Sequence, residues 1–253
     1  MKIKRFLLRN IFGSICFFLV LSIYSQNISG KIMYKFSMEP ISEKQIDSIT
    51  KKNASQNAKM NDFTKSVFKN IKDVNGFLEF KNEESLYYLE DEMKIDDGKM
   101  FNMNRIFAGG ENKYYKNIKT SEQYHESSVF DELSLIEYED RKWQITQESK
   151  KLGNYHCFKA IDISKPEQKV NAIAWFTPEI PVNFEPINFN GLPGLILKVE
   201  NGTRRIIATK IEIHPQNQIK IIKPTKGKRI KAEESRKRAE TFWKSIDKQK
   251  SKQ

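Results

Sequence analysis

Leu195-Ile196-Leu197-Lys198-Val199-Glu200-Asn201-Gly202-Thr203-Arg204-Arg205-Ile206-Ile207 sets an aliphatic run, then Asn201-Gly202, then a second β-branched run that continues to Ile213. Asn-Gly between two such runs is hairpin punctuation, because both residues accept positive φ at little cost. The same grammar extends upstream. Short aromatic and β-branched runs occupy 77–80, 86–89, 101–107, 114–118, 133–138, 143–146, 155–163 and 170–176, and another follows at 218–222. Asp97-Gly98, Gly109-Gly110 and Gly153-Asn154 supply further turn signals between them. Strands this closely spaced leave no room for crossover helices, so the sheet is predicted to be an antiparallel meander.

Ahead of the meander, Ile28, Gly30, Ile32, Tyr34, Phe36 and Met38 alternate with mostly polar neighbours, the period of a half-buried strand, and Pro40 stops it. Ser42 and Gln45 then have the spacing of a capping box. Ile46, Ile49, Phe63, Val67, Phe68 and Ile71 recur at largely helical spacing, as one helix or as two broken near 53–57. The predicted fold is mainly β (α+β): a curved antiparallel β-sheet, half-barrel-like, with an N-terminal covering helix region and a C-terminal helix.

Forty-four Lys and Arg against 32 Asp and Glu give a net charge of +12, but the excess lies at the two ends of the chain. Residues 1–25 hold four cations and no acid, residues 223–253 hold twelve cations and four acids, and 26–222 is neutral. A neutral body argues against nucleic acid as a partner. Residues 1–25 have a basic start, an apolar run at 11–23 and the small Ser25, the three parts of a secretory signal. The expected organisation is a cleaved signal at 1–25, one β-rich domain at 26–224 and a basic helical tail at 225–253, with export to the periplasm or beyond. In the tail, Ala239, Phe242, Trp243 and Ile246 share one helical face. That face is expected to rest on the domain, with peripheral contact to an anionic membrane surface or an acidic partner as the alternative.

Chemistry leaves little trace. His125, His156 and His214 stand apart without metal-ligand spacing, and no nucleophile elbow, zinc helix or phosphate-cradling loop occurs. No catalytic residue, metal or cofactor is predicted. Cleavage of the leader leaves one cysteine, Cys157, expected to be buried in a strand; the alternative is a reactive or intermolecular thiol. It cannot pair with His156 as nucleophile and base, because neighbours on a strand face opposite ways. The acids at 90–92 and 96–97 read as solvated turns.

One block differs from the rest: Trp175-Phe176-Thr177-Pro178-Glu179-Ile180-Pro181, then Asn183-Phe184-Glu185-Pro186-Ile187-Asn188-Phe189-Asn190, then Gly191-Leu192-Pro193-Gly194-Leu195-Ile196. Pro178, Pro181 and Pro186 make it a stiff irregular connection. Leu192-Pro193-Gly194-Leu195 fits a type II turn, with Gly194 supplying positive φ. The block is expected to shape the scaffold, with a docking surface formed by Trp175, Phe184 and Phe189 as the alternative. The hexapeptide Gly191 to Ile196 resembles the signature of the GLPGLI family, exported proteins of Bacteroidota-type bacteria whose function is not established. Trp143-Gln144-Ile145-Thr146, Gly153-Asn154-Tyr155-His156-Cys157-Phe158-Lys159-Ala160 and Ala174 to Pro181 resemble that family's other recurrent blocks in the same order, whereas Asn183-Phe184-Glu185-Pro186 stands where members more often carry Gly-Pro. The resemblance supplies no catalytic residue. In pattern the chain also resembles the curved half-barrels of periplasmic lipoprotein carriers. The expected function is that of a non-enzymatic envelope protein binding a hydrophobic ligand, a lipid or an envelope partner. The alternatives are an enzyme using dispersed carboxylates or Cys157, and a basic membrane-surface adaptor.

Overall fold

A computed structural model describes residues 28–52, 65–68, 71–90, 102–128, 132–165 and 170–250. The leader, residues 53–64 with Phe63, and Asp97-Gly98 lie outside the described residues. So do the side chains of Ile49, Phe242, Trp243 and Ile246. Six strands come first: β1 (Ser29–Met38), β2 (Val74–Lys81), β3 (Glu84–Leu89), β4 (Lys113–Asn117), β5 (Glu122–Ser127) and β6 (Ser134–Glu137). Six more follow: β7 (Trp143–Leu152), β8 (Tyr155–Asp162), β9 (Ile173–Thr177), β10 (Leu195–Asn201), β11 (Arg204–Ile213) and β12 (Lys228–Lys231). The helices are α1 (Glu43–Lys52), α2 (Met103–Phe107) and α3 (Ala232–Lys250).

All twelve strands form one sheet in the order β12-β6-β5-β4-β3-β2-β1-β11-β10-β9-β8-β7. It contains two meanders, β1 to β6 and β7 to β11, joined where β11 pairs antiparallel with β1. The predicted antiparallel sheet is therefore present, except that β12 pairs parallel with β6. Residues 138–142 connect the second strand in the order to the twelfth. On a flat sheet those strands would lie roughly 48 Å apart, at about 4.8 Å per strand. Five residues bridge no more than about 21 Å. The sheet must coil until its two ends approach, which gives the half-barrel character read from the sequence.

Hairpin chemistry follows the turn signals. Gly202 between β10 and β11 has φ 61°, and Gly153 between β7 and β8 has φ 57°. On the inner face of the coil, Ile32, Tyr34, Phe36, Leu78, Phe80, Ile196 and Val199 form the main core. The irregular loop 178–194 lies across that face and adds Ile180, Val182, Phe184, Phe189 and Leu192. Phe184 packs on Phe80 with ring centroids 5.6 Å apart. The Tyr34 hydroxyl donates to the Ile196 carbonyl at 2.8 Å, so this buried ring keeps its polar tip satisfied. A smaller core of Leu86, Tyr115, Tyr124 and Leu135 lies on the outer face beneath Ile221.

Several local readings are corrected. The 101–107 run contains helix α2, whose N-cap Asn102 accepts from the Asn104 N–H at 3.1 Å. A capping side chain there outweighs the β propensity of the phenylalanines. Residues 218–222 form no strand but a cover for the outer core, with the Tyr124 hydroxyl bonded to the Pro224 carbonyl at 2.8 Å. The sheet runs on through Lys231, so 225–231 belongs to the domain and the helical tail starts at Ala232. Ser42 and Gln45 do form the capping box: the Ser42 N–H donates to Gln45 Oε1 at 2.9 Å.

Gly194 is the most informative correction. It is not among the positive-φ glycines, so no type II turn forms there. A Cβ on it would instead fall 2.8 Å from the carbonyl carbon of Thr177, where the chain entering β10 comes alongside the end of β9. The Gly194→Ala variant is expected to lose about 2–3 kcal/mol by overpacking against backbone that cannot yield. Pro193→Ala, at an exposed position, should cost about 1 kcal/mol or less. Urea unfolding of the two variants checks the contrast.

Candidate functional site

The residues singled out in the sequence do not gather around a reactive centre. Leu192, Leu195 and Ile196 are buried in the main core, while Pro178, Pro181 and Pro193 are exposed and act on the backbone alone. Gly191 has φ 99°, a conformation that favours glycine. Trp175 faces away from the loop, on the other side of β9, with the Lys150 ammonium 3.6 Å above its ring. Trp175, Phe184 and Phe189 are all buried and present no aromatic docking surface. Cys157 is 0% exposed on β8, and burial pushes its thiol above the ordinary value. His156 is exposed on the opposite face of β8 from Cys157, as strand alternation requires, with its ring 5.0 Å from that of Phe158.

What the loop does bring together is a polar cluster that sequence reasoning missed. Glu185 is 6% exposed, and its carboxylate lies 3.5 Å from the Lys116 ammonium, itself on the inner face of β4. Lys116 also donates to Asn183 Oδ1 at 2.7 Å and stands 3.9 Å from Asp140. The Gly191 N–H donates to Glu185 Oε1 at 3.1 Å. Asn190, 1% exposed, donates from Nδ2 to Gln123 Oε1 at 3.0 Å and to Asp140 Oδ1 at 2.5 Å. Its Oδ1 is buried without a hydrogen-bond partner. Burial raises the Glu185 carboxyl to about 7, against the opposing pull of the Lys116 charge and the Gly191 N–H. Close by, His125 stacks on Tyr114 at 4.9 Å, and burial pushes it down to about 4.

Two tethers hold the loop over this cluster. Arg141 donates to the Asn188 carbonyl at 2.8 Å and to its Oδ1 at 3.0 Å, and lies 4.2 Å over the Phe189 ring. Trp143 Nε1 donates to the Asn190 carbonyl at 2.7 Å. Immediately before the tethered residues Ile187 is held at φ 59°, a left-handed conformation that a β-branched residue adopts only under constraint.

A cleft of about 310 Å³ opens beside the cluster, where β5 begins and β6 ends. Gln123, Tyr124, Glu137, Tyr138, Glu139 and Asp140 line it, with Ser121, Glu122 and Arg229. Glu122 is taken up by Lys223 at 2.8 Å and Arg229 at 2.9 Å, whose hydrogen bonds lower its carboxyl to about 2. Among the described residues no trio of His, Cys, Asp or Glu is placed to hold a metal ion. The arrangement is suited to binding a polar group. The one signal in the sequence was a glutamate set directly between Phe184 and Pro186.

A family model described as a protein of unknown function (Porph_ging) matches residues 162–198, a stretch that includes the loop and the hexapeptide. No curated protein matches the chain. Two solved structures of PNGF-II resemble it: one with TM-score 0.50 at 15% identity, covering 84% of this chain and 33% of that one, and a second with TM-score 0.49 at 14% identity, covering 81% and 31%. The chain thus spans about a third of the length of these structures, and the first likeness concerns the fold alone.

The Glu185 carboxyl, raised in the folded state, binds more protons than in the unfolded chain between pH 4.5 and about 7, so its contribution to stability is lost as pH rises through that window. His125, lowered when folded, acts with the opposite sign between about 4 and 6.5. The two effects offset each other in the wild type, and the comparison that isolates one is a variant against the wild type. From pH 4.5 to 7, Glu185→Gln should gain up to about 3 kcal/mol relative to wild type, read from urea unfolding at each pH. Separately, Cys157 should react with a thiol reagent only as fast as the domain opens, so labelling in native buffer should be slower by orders of magnitude than in denaturant.

Proposed function

We propose that the protein is an exported, GLPGLI-type envelope protein that performs no chemistry and docks another envelope protein through the cleft at residues 121–124 and 137–140. The leader's composition and the hexapeptide support the compartment. The observation that carries the docking reading is a contrast of spaces. The inner face, where a hydrophobic ligand would lie, is filled by the chain's own loop, and the apolar pocket beside it holds about 40 Å³. Among the described residues a more open space is the polar cleft of about 310 Å³. Cys157, sealed in a strand, speaks against thiol chemistry.

A second reading, an enzyme with a carboxylate site, draws on Glu185 alone: a carboxyl raised to about 7 next to a cleft is the kind of group that acid–base chemistry uses. An activity that falls with Glu185→Gln in a folded variant would favour it.

Immobilised residues 26–253 are expected to retain one defined protein from an envelope extract at near-physiological salt, and the purified partner should rebind. Charge reversal by Glu139→Lys with Asp140→Lys should weaken that binding at least about tenfold. Lys210→Gln, on an exposed part of β11, should leave it unchanged. Stoichiometric lipid in place of a protein, or binding indifferent to the charge reversal, would overturn the reading.

A further inference from the structure

We infer that the pocket between α2 and the hairpin of β10 and β11 binds a small organic carboxylate carried on a short aliphatic group, with Arg204 taking the carboxylate. The inference is independent of the docking role proposed above, because this pocket and the polar cleft share no lining residue. Its apolar wall is made by Phe36, Phe189, Val199 and Ile206, all buried, and by Phe107 of α2. Arg204, Arg205 and Asn201 stand on its polar side, where β10 ends and β11 begins.

The first observation is a cation without an anion. Arg205 is occupied: it pairs with Glu39 and stands 3.6 Å from Glu200. Arg204 is not. Among the described residues no carboxylate pairs with its guanidinium and no oxygen accepts from it, and its guanidinium carbon lies 3.3 Å from the centroid of the Phe107 ring. Burial lowers its pKa from the ordinary value, and no anion opposes the shift. A guanidinium that has lost part of its water and gained no acceptor favours a carboxylate, which it can meet with two parallel hydrogen bonds. Contact with Phe107 holds the side chain in place, so less freedom is lost when the anion arrives. Asn201, the cross-strand partner of Arg204, adds a side-chain amide with no hydrogen bond among the described residues.

The second observation is the size and lining of the void. It holds about 40 Å³. One water-sized group occupies roughly 10–15 Å³ by the same measure, so the space takes about three or four carbon atoms. A lipid tail does not fit there, and the branched end of a short acid does. The five apolar side chains offer no hydrogen bond, so water held against them forgoes partners that an aliphatic group does not need. A cationic guest would meet Arg204 and Arg205, and an uncharged one would leave Arg204 without a counter-charge.

The test is a nuclear magnetic resonance titration of isotope-labelled residues 26–253 with two sources of this chemistry, isovalerate and an acetylated tripeptide that ends in leucine with a free carboxylate. At least one should shift the amides of Phe107, Asn201 and Arg204 saturably, with a dissociation constant on the order of 1 mM, and the tighter of the two identifies the source. Isovaleramide and the tripeptide's terminal amide should bind at least about tenfold more weakly. Arg204→Gln, at an exposed position where no described hydrogen bond depends on the guanidinium, should keep the urea midpoint of the wild type and weaken the carboxylates at least about tenfold. Lys210→Gln, on an exposed part of β11, should leave them unchanged. Octanoate should bind no more tightly than isovalerate. No saturable shift from either carboxylate, amides that bind as well as the acids, binding unaltered by Arg204→Gln, or octanoate bound about tenfold more tightly would each overturn the inference.

Discussion

Residues 138–142 constrain everything else. A five-residue link between the second and twelfth strands cannot exist on a flat sheet, so it coils the sheet and brings β5 and β6 towards β7. The same link supplies Tyr138, Glu139 and Asp140 to the cleft and Arg141 to the loop. Coiling also lets one irregular segment, 178–194, reach across the inner face from β9 to Lys116 on β4. Without it Lys116 and Glu185 would be on different parts of a broad sheet.

The loop plays two physical roles at once. Its apolar members, Ile180, Val182, Phe184, Phe189 and Leu192, fill the coil as the second layer that an open sheet needs to bury its inner face. Its polar members, Asn183, Glu185 and Asn190, are carried to the end of the sheet where the inner face turns polar at Lys116, Gln123 and His125. A lone carboxylate buried there would be costly, and the Lys116 ammonium and Gly191 N–H offset part of that cost. The left-handed backbone of Ile187 is strain of the kind tolerated where the chain is anchored on both sides, here by Lys116 on Glu185 before it and Arg141 on Asn188 after it.

Much of the scaffold was legible because its signals are local. The alternation of Ile32, Tyr34 and Phe36 is the alternation of a strand buried on one face, and Asn201-Gly202 and Gly153-Asn154 turn where their φ preferences allow. Burial of Cys157 followed from its place among Tyr155, Phe158 and Ala160. The misreadings share one cause. The 101–107 run looked extended by composition, and a single capping asparagine made it a helix. Gly194 looked like a turn glycine beside proline, and its smallness serves a close approach of two backbone segments 17 residues apart in the chain, where β10 begins alongside the end of β9. Glu185 was passed over because its partner, Lys116, is 69 residues away and pairs with it only once the loop is folded down.

By itself the amino-acid sequence determined the class of the protein: many short antiparallel strands, a neutral body between charged ends, a buried thiol and a rigid proline-rich connection. Those properties depend on periodicity, turn preference and charge, each carried within a few residues. Only the tertiary structure decided that the rigid connection lies inside the coil, that it buries a glutamate beside a lysine, and that an acidic cleft opens next to them. Such features arise from contacts between segments distant along the chain, and no local preference encodes which of many charged residues will meet.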